Sequence, residues 1–233
     1  MVRVVYFADA CDFPVHIWGY GCSRGVVLIR PGQRERNGAM KVGRAQVAEN
    51  RERILDAAVE LFRECGIDGI SVAGLMQHAG LTHGAFYSYF DSKEDLLAQA
   101  CSRDVARTRE RWSALAATST EAPLKALAQS YLARHSHEDH AGRGCLYASL
   151  GAELARRSPA VRHPVTDELR RLIDFLSGIV PGRSKAMRRQ RALASYASLV
   201  GGLVLARAVD DEALSNEILC AVAASLHADV SQG

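Results

Sequence analysis

From Arg44 onward, apolar residues recur at helical spacing and almost never alternate. In "ENRERILDAAVELFRECG", Ile54, Leu55, Ala58, Leu61 and Phe62 stand at i, i+1, i+4, i+7 and i+8, which is one stripe of a helix. Arg51, Glu52, Asp56, Glu60 and Arg63 lie off that stripe, and Gly66 stops it. After the "GIDGIS" turn, Ser71 is placed to cap a short helix whose inward residues are Val72, Leu75 and Met76. Gly80 supplies a left-handed residue to end it. Thr82 can cap the next short helix, and "SKED" from Ser92 to Asp95 has capping-box spacing for a longer fourth one. Further helices are expected at roughly 96–117, continuous with the fourth, then 122–138, 145–157, 160–180, 184–208 and 211–229. Breaks fall at Pro123, "HAGRG", Pro159 and "PGRS". The fold class is all-α.

One stretch departs from this rhythm. In "AGLTHGAFYSYFDSK", residues 79–93, the piece from Thr82 to Phe90 carries no acid, Lys or Arg, yet it holds four aromatics in its last five residues. Two short helices separated by "HAGL" make a helix-turn-helix, in which the second helix enters the DNA major groove and the first braces it. With Phe86 and Phe90 turned inward, Thr82, His83, Ala85, Tyr87 and Tyr89 have a way outward. Gly84 removes a side chain where the element must approach a groove wall. The competing reading puts all the aromatics in the core.

Charge neither makes nor breaks this reading. The chain of 233 residues has a net charge of +3, but residues 41–96 hold six basic and nine acidic groups. A slightly acidic DNA-binding section needs an explanation, and hydroxyl chemistry supplies one. Phosphates accept hydrogen bonds from tyrosine and threonine hydroxyls and from backbone amides as well as from cations. Tyr87 and Tyr89 can clamp the backbone and Lys93 adds a cation. The preceding arm, "MKVGRAQVAENRER", contributes Lys41, Arg44, Arg51 and Arg53.

Six scattered cysteines without a CxxC pair suit a reducing cytoplasm with free thiols. No stretch approaches the roughly 20 apolar residues of a membrane span. Asp9, Asp12 and Pro14 interrupt the first apolar run, unlike a signal peptide. Residues 1–40 show no sustained period and read as a disordered extension upstream of a natural start at Met40. The alternative is a basic arm that folds on a partner.

The segment "ILDAAVELFRECGIDGISVAGLMQHAGLTHGAFYSYFDSKEDL" resembles the DNA-binding domain of the tetracycline-repressor (TetR) family of bacterial transcription regulators. The likeness runs in unbroken register over about 50 residues, 45 to 97, through the Gly turn, the Ser/Thr cap, "T-x-G-x-x-Y-x-Y-F" and "x-S-K-E-D-L". The resemblance implies that Ser71, Thr82, Tyr87, Tyr89 and Lys93 touch phosphates, and that His83, Gly84 and Ala85 sit at base edges. It assigns residues 41–96 to the helix-turn-helix domain and residues 97–233 to a helical effector-binding and dimerisation domain. In this second part, "GRGCLYASLGAELARRSPAVR" and "YASLVGGLVLARAVDD" look like phrases of one subgroup. The implied partners are double-stranded DNA with a palindromic operator, an unknown small-molecule effector, and a second copy of the chain. The homodimer would form through about 184–208 and 211–229. There Leu193, Tyr196, Ala197, Val200, Leu203, Val204 and Ala208 make an apolar stripe, and Gly201 and Gly202 permit close approach. The competing reading of that stripe is a buried helix of a monomer.

An effector pocket would draw on Trp112, Leu127, Tyr131, Leu146, Tyr147, Leu150 and Phe175, residue types that serve equally as core. "HSHEDH" brings His135, His137 and His140 close in sequence, but without a further ligand at finger spacing it reads as a solvated helix end, with no metal. Cys145 in "GRGCLY" follows a Gly-rich turn with Arg143 nearby, so it is either a redox switch or a small apolar residue. No motif asks for a cofactor. A thiol-dependent helical enzyme built on Cys145 or Tyr147 is the alternative class, but no paired base, carboxylate dyad or phosphate loop accompanies them.

Overall fold

The computed structural model describes residues 43–119, 123–136 and 144–231. The expectations for residues 1–40, for Lys41 and Arg143, and for the side chains of His135, His137 and His140 lie outside the described residues. In the described residues the order is α1 (Arg44–Cys65), α2 (Val72–His78), a short 3-10 helix (His83–Ser88), α3 (Lys93–Thr118), α4 (Pro123–Ser136), α5 (Leu146–Leu154), α6 (Pro159–Ile179), α7 (Lys185–Ala208) and α8 (Glu212–Ser231). None of these is a strand, and no helix is long and apolar enough to cross a membrane.

Local chemistry sets the boundaries. α1 ends where Gly66 takes φ +74°, a left-handed conformation that costs glycine little. The Ser71 Oγ accepts from Gly74 N at 3.1 Å and starts α2. At the other end of α2, Gly80 has φ +70° and Leu81 N donates back to Met76 O at 2.8 Å. The Ser92 Oγ accepts from Asp95 N at 3.0 Å, while the Asp95 carboxylate accepts from Asp91 N. Glu94 and Asp95 also place negative charge on the first turn of α3, where the helix dipole favours it. Pro159 opens α6 from a position that needs no N–H donor. Two expectations fail here. Thr82 makes no side-chain cap, and the element after it is a 3-10 helix, not an α-helix.

The α1 stripe is buried throughout: Ile54, Leu55, Ala58, Leu61 and Phe62 enter one continuous core with Leu75, Met76, Phe86 and Phe90. α3 extends that core. Its 26 residues begin inside the helix-turn-helix unit and run into the C-terminal half, packing on both α1 and α6. The expected domain boundary at residue 96 therefore lies within a continuous helix.

Arg63 lies off the apolar stripe of α1, yet its side chain is covered. Its guanidinium pairs with the Asp104 carboxylate of α3, and the two side chains are only 7% and 12% exposed. On the outer side of the same contact, Arg103 reaches Glu52 and Asp56, and Arg107 reaches Asp56. Burial raises the Asp56 pKa, but hydrogen bonds from Arg103 and Arg107 outweigh it and hold the carboxyl below its usual range.

The C-terminal half docks on the turn between α1 and α2 through the end of α5. The Glu153 Oε2 accepts from Ile67 N at 2.8 Å, Arg157 Nη2 pairs with Asp68 Oδ2 at 2.7 Å, and Ser158 Oγ donates to Glu94 Oε2 at 2.9 Å. Farther away, α7 and α8 approach closely. A Cβ on Gly202 would stand 2.6 Å from Val222 Cγ2.

Removing one member of a buried ion pair leaves the other charge without compensation, at a cost of about 3 kcal/mol. Asp104→Ala is therefore expected to lower the unfolding free energy by about that much, against well under 1 kcal/mol for Arg107→Ala on the exposed rim. Urea denaturation of both variants measures the difference.

Candidate nucleic-acid interface

The 3-10 helix presents a divided surface. Phe86 is buried and stacks against Phe90, with ring centroids 5.8 Å apart. Tyr87 stands edge-on to Phe86 at 5.2 Å yet is 68% exposed. Thr82, His83 and Gly84 are exposed beside it, and nothing lies within 4 Å of where a Gly84 Cβ would be. Ala85 is half-buried against the core. Ser71 is exposed at the start of α2 and combines its capping role with an open position.

Four other positions differ from the sequence reading. Tyr89 does not point freely outward: its ring is half-buried against the core, and its hydroxyl accepts from Asn50 Nδ2 at 3.1 Å. Lys93 is not a free surface cation. Its Nζ donates to Ile70 O at 2.6 Å and lies 6.0 Å from the centre of the Phe62 ring, and burial pulls its pKa down. The two arginines assigned to the arm are also engaged within the unit. Arg51 bonds Gln99 and lies over Phe90 at 5.2 Å, while Arg53 Nη2 donates to Ala79 O at 2.6 Å. Of the arm cations in the described residues, Arg44 and Arg53 are exposed, the latter with its guanidinium turned to Ala79 O.

The residue that sequence reasoning missed is Asn50. It is one of few buried polar side chains, and it gathers Gln46, Arg53 and Tyr89. The spacing Gln46, Asn50, Arg53 does follow a helical face, opposite in character to the apolar stripe. A polar side chain at the edge of a buried stripe was the available signal.

In the C-terminal half, the proposed pocket residues form a packed cluster. Trp112 meets Tyr131 at 5.8 Å and Tyr196 at 5.9 Å, and Tyr196 meets Tyr147 at 6.1 Å, all edge to face. Leu127, Leu146 and Leu150 are buried in the same core, and Phe175 lies half-buried against it. Tyr196, read from sequence as part of a dimer stripe, belongs here. Cys145 occupies the N-cap position of α5 and is buried. Burial, with the Cys145 thiol close by, pushes the phenols of Tyr131 and Tyr196 above their ordinary range. Tyr147 is raised chiefly by burial and donates to Val165 O.

A buried three-helix brace, a capped short helix and an exposed 3-10 helix with hydroxyl-bearing edges define a helix-turn-helix protein. Residues 54–100 match the model of the bacterial regulatory proteins of the tetR family. Over that segment the chain is similar to members of that family. It is 40% identical over 52 residues to the uncharacterized HTH-type transcriptional regulator YvdT of Bacillus subtilis, covering 22% of this chain and 27% of that protein. To the HTH-type transcriptional regulator AcrR of Shigella flexneri it is 37% identical over 54 residues, covering 23% of this chain and 25% of that one. The chain thus spans about a quarter of the length of these curated relatives. The fold likeness reaches further. The reduced form of Escherichia coli NemR superposes with a TM-score of 0.66 at 24% identity, covering 76% of this chain and 95% of that one.

Burial, aided by Asp104, pushes the Cys101 thiol up to about 12, so at pH 8 it carries almost no reactive thiolate. Iodoacetamide labelling of the native chain at pH 8, read by peptide mass, is expected to leave Cys101 unmodified while Cys65 and Cys220, which are only partly covered, react. Labelling of Cys101 at a comparable rate contradicts this.

Proposed function

We propose that the chain is a homodimeric transcriptional regulator that binds double-stranded DNA through its 3-10 helix and acts as a repressor. The observation that carries this reading is the exposed face from Thr82 to Tyr87, laid over buried Phe86 and Phe90. A core helix has no reason to hold a large aromatic ring and an imidazole in solvent at the tip of a helix-turn-helix. His83, Gly84 and Ala85 are the residues assigned to base edges. Ser71, Thr82, Tyr87, Tyr89 and the remaining donors of Lys93 are assigned to phosphates.

Dimerisation through α7 and α8 rests on a second face. Leu193 (49% exposed), Ala197, Val204 and Leu205 (58% exposed) lie outward on α7, and Leu214 does so on α8. Tyr196 and Leu203 of the same helix turn inward, so the single stripe read from sequence divides into a core face and an exposed apolar face. A two-fold pair supplies two recognition elements about 34 Å apart, as a palindromic operator requires.

Release is assigned to a small molecule that loosens the aromatic cluster around Cys145. The thiol sits behind tyrosine rings at the head of α5, and α5 ends at the Glu153 contact with the α1–α2 turn. This burial favours an effector that parts the rings over direct attack on the sulfur. Either trigger works only by binding the released state more tightly than the DNA-bound one.

Two experiments test the reading. Tyr87→Phe is expected to weaken binding to every duplex by about fivefold to tenfold, whereas His83→Ala is expected to change which duplex a randomised pool yields. Equal effects of both on all sequences would overturn the division of roles. For the dimer, Leu193→Glu with Val204→Glu should give a folded monomer in sedimentation velocity. A dimer that survives both charges would place the interface elsewhere.

A further inference from the structure

Asn50 lies at the edge of the α1 stripe and is buried, and its amide orientation follows from its neighbours. One amide atom lies 3.4 Å from Arg53 Nη1 and 3.2 Å from Gln46 Nε2. A guanidinium has donors only, so the atom facing Arg53 is the oxygen Oδ1. The other amide atom is then Nδ2, a donor, and it faces the Tyr89 hydroxyl at 3.1 Å.

A phenol has one hydrogen to give and lone pairs to receive. Opposite an amide N–H, the Tyr89 oxygen can only accept. Its own hydrogen must point elsewhere, and among the described residues no acceptor is recorded for it. The ring is half-buried beside the exposed face of the 3-10 helix, with Phe86 and Phe90 fixing the backbone on either side. A hydroxyl held in this way recognises a group with lone pairs and no hydrogens. Phosphate oxygens are such a group.

We propose that Asn50 is a positioning residue for DNA. It holds the Tyr89 hydroxyl with its hydrogen directed outward, as a donor to a backbone phosphate. This deepens the proposed function and rests on it. Arg53 and Gln46 act one step further back: they lock the Asn50 amide so that its nitrogen, not its oxygen, meets the phenol. Arg53 also bonds Ala79 O, the carbonyl that ends α2, so the same comb holds the turn of the helix-turn-helix. In this account Arg53 serves DNA binding from inside the unit.

The near-isosteric change Asn50→Asp separates orientation from packing. A carboxylate keeps the shape and still accepts from Arg53 and Gln46, but it presents an acceptor to Tyr89 and draws the phenol hydrogen inward. The test is a double-mutant cycle. The parent, N50D, Y89F and the double variant are titrated by fluorescence anisotropy against one labelled duplex that the parent selects from a randomised pool. Thermal unfolding of each variant is followed in parallel.

The expected result is that Y89F and N50D each weaken binding roughly tenfold. The double variant should be no weaker than N50D alone, because without the hydroxyl the amide has nothing to orient. Melting temperatures that do not track the affinities support an effect on the site. If the losses multiply, Asn50 acts through charge or packing and the proposal is overturned. Parent-like binding by N50D overturns it as well. A parent chain that enriches no duplex removes the DNA reading itself and the proposal with it, an outcome distinct from the other two because it appears before any variant is made.

Discussion

The contact between Arg63 of α1 and Asp104 of α3 is where the two halves of the chain become one body. α1 belongs to the helix-turn-helix unit, while α3 starts there and continues into the C-terminal core. A buried guanidinium–carboxylate pair has a narrow range of acceptable geometry, because each charge is poorly solvated and depends on the other. It fixes the rotation of α3 about its own axis relative to α1. With α3 fixed, α6 has a defined face to pack on, and the turn holding Glu153 and Arg157 comes to rest against Ile67 and Asp68. The outer rim of Arg103, Arg107, Glu52 and Asp56 adds register more than energy, since exposed pairs contribute little.

The same economy of free charge marks the candidate DNA face. Lys93, Arg51 and Arg53 are all turned to structural partners. What remains outward is a set of hydroxyls, an imidazole and glycine-exposed backbone. Such a face depends on direction more than on field, because a hydroxyl attracts phosphate only if its hydrogen is aimed correctly, whereas a lysine attracts it from any angle. Ser71 follows the same logic as Tyr89: its oxygen accepts from Gly74 N, so its hydrogen is left for another acceptor. A recognition surface of this kind must be rigid, and the buried Phe86 and Phe90 behind it, with the Asn50 comb at its side, provide the rigidity.

Much of the fold was legible because its causes are local. The α1 stripe, the Ser71 and Ser92 caps and the Gly80 turn each depend on residues within a few positions, and each is found as read. What was misread depends on distance. Nothing near Arg63 indicates that Asp104 will bury it. Lys93 looked like a surface cation because its acceptor, Ile70 O, lies 23 residues back. Tyr89 is separated from Asn50 by 39 residues, so the sequence showed a tyrosine but not its state as an acceptor. Tyr196 carried an ambiguous signal: an apolar stripe on α7 is equally a partner face or a core face, and the structure divides the stripe between the two. The 3-10 form of the element after Thr82 was hidden for a simpler reason. Over six residues, apolar spacing does not distinguish three residues per turn from 3.6.

The nine-residue helix α5 carries one more implication. Its head is set among the tyrosines at Cys145, and its tail is pinned by Glu153 to the α1–α2 turn. Both ends are anchored to different parts of the molecule. One inserted residue would turn one anchor about 100° relative to the other and lengthen the rod by about 1.5 Å. Exchanges of side chain along its middle disturb only their own neighbours. α5 is thus a gauge block, in which length is held more tightly than spelling. Insertions and deletions that lineages of this chain accumulate should therefore be kept out of α5.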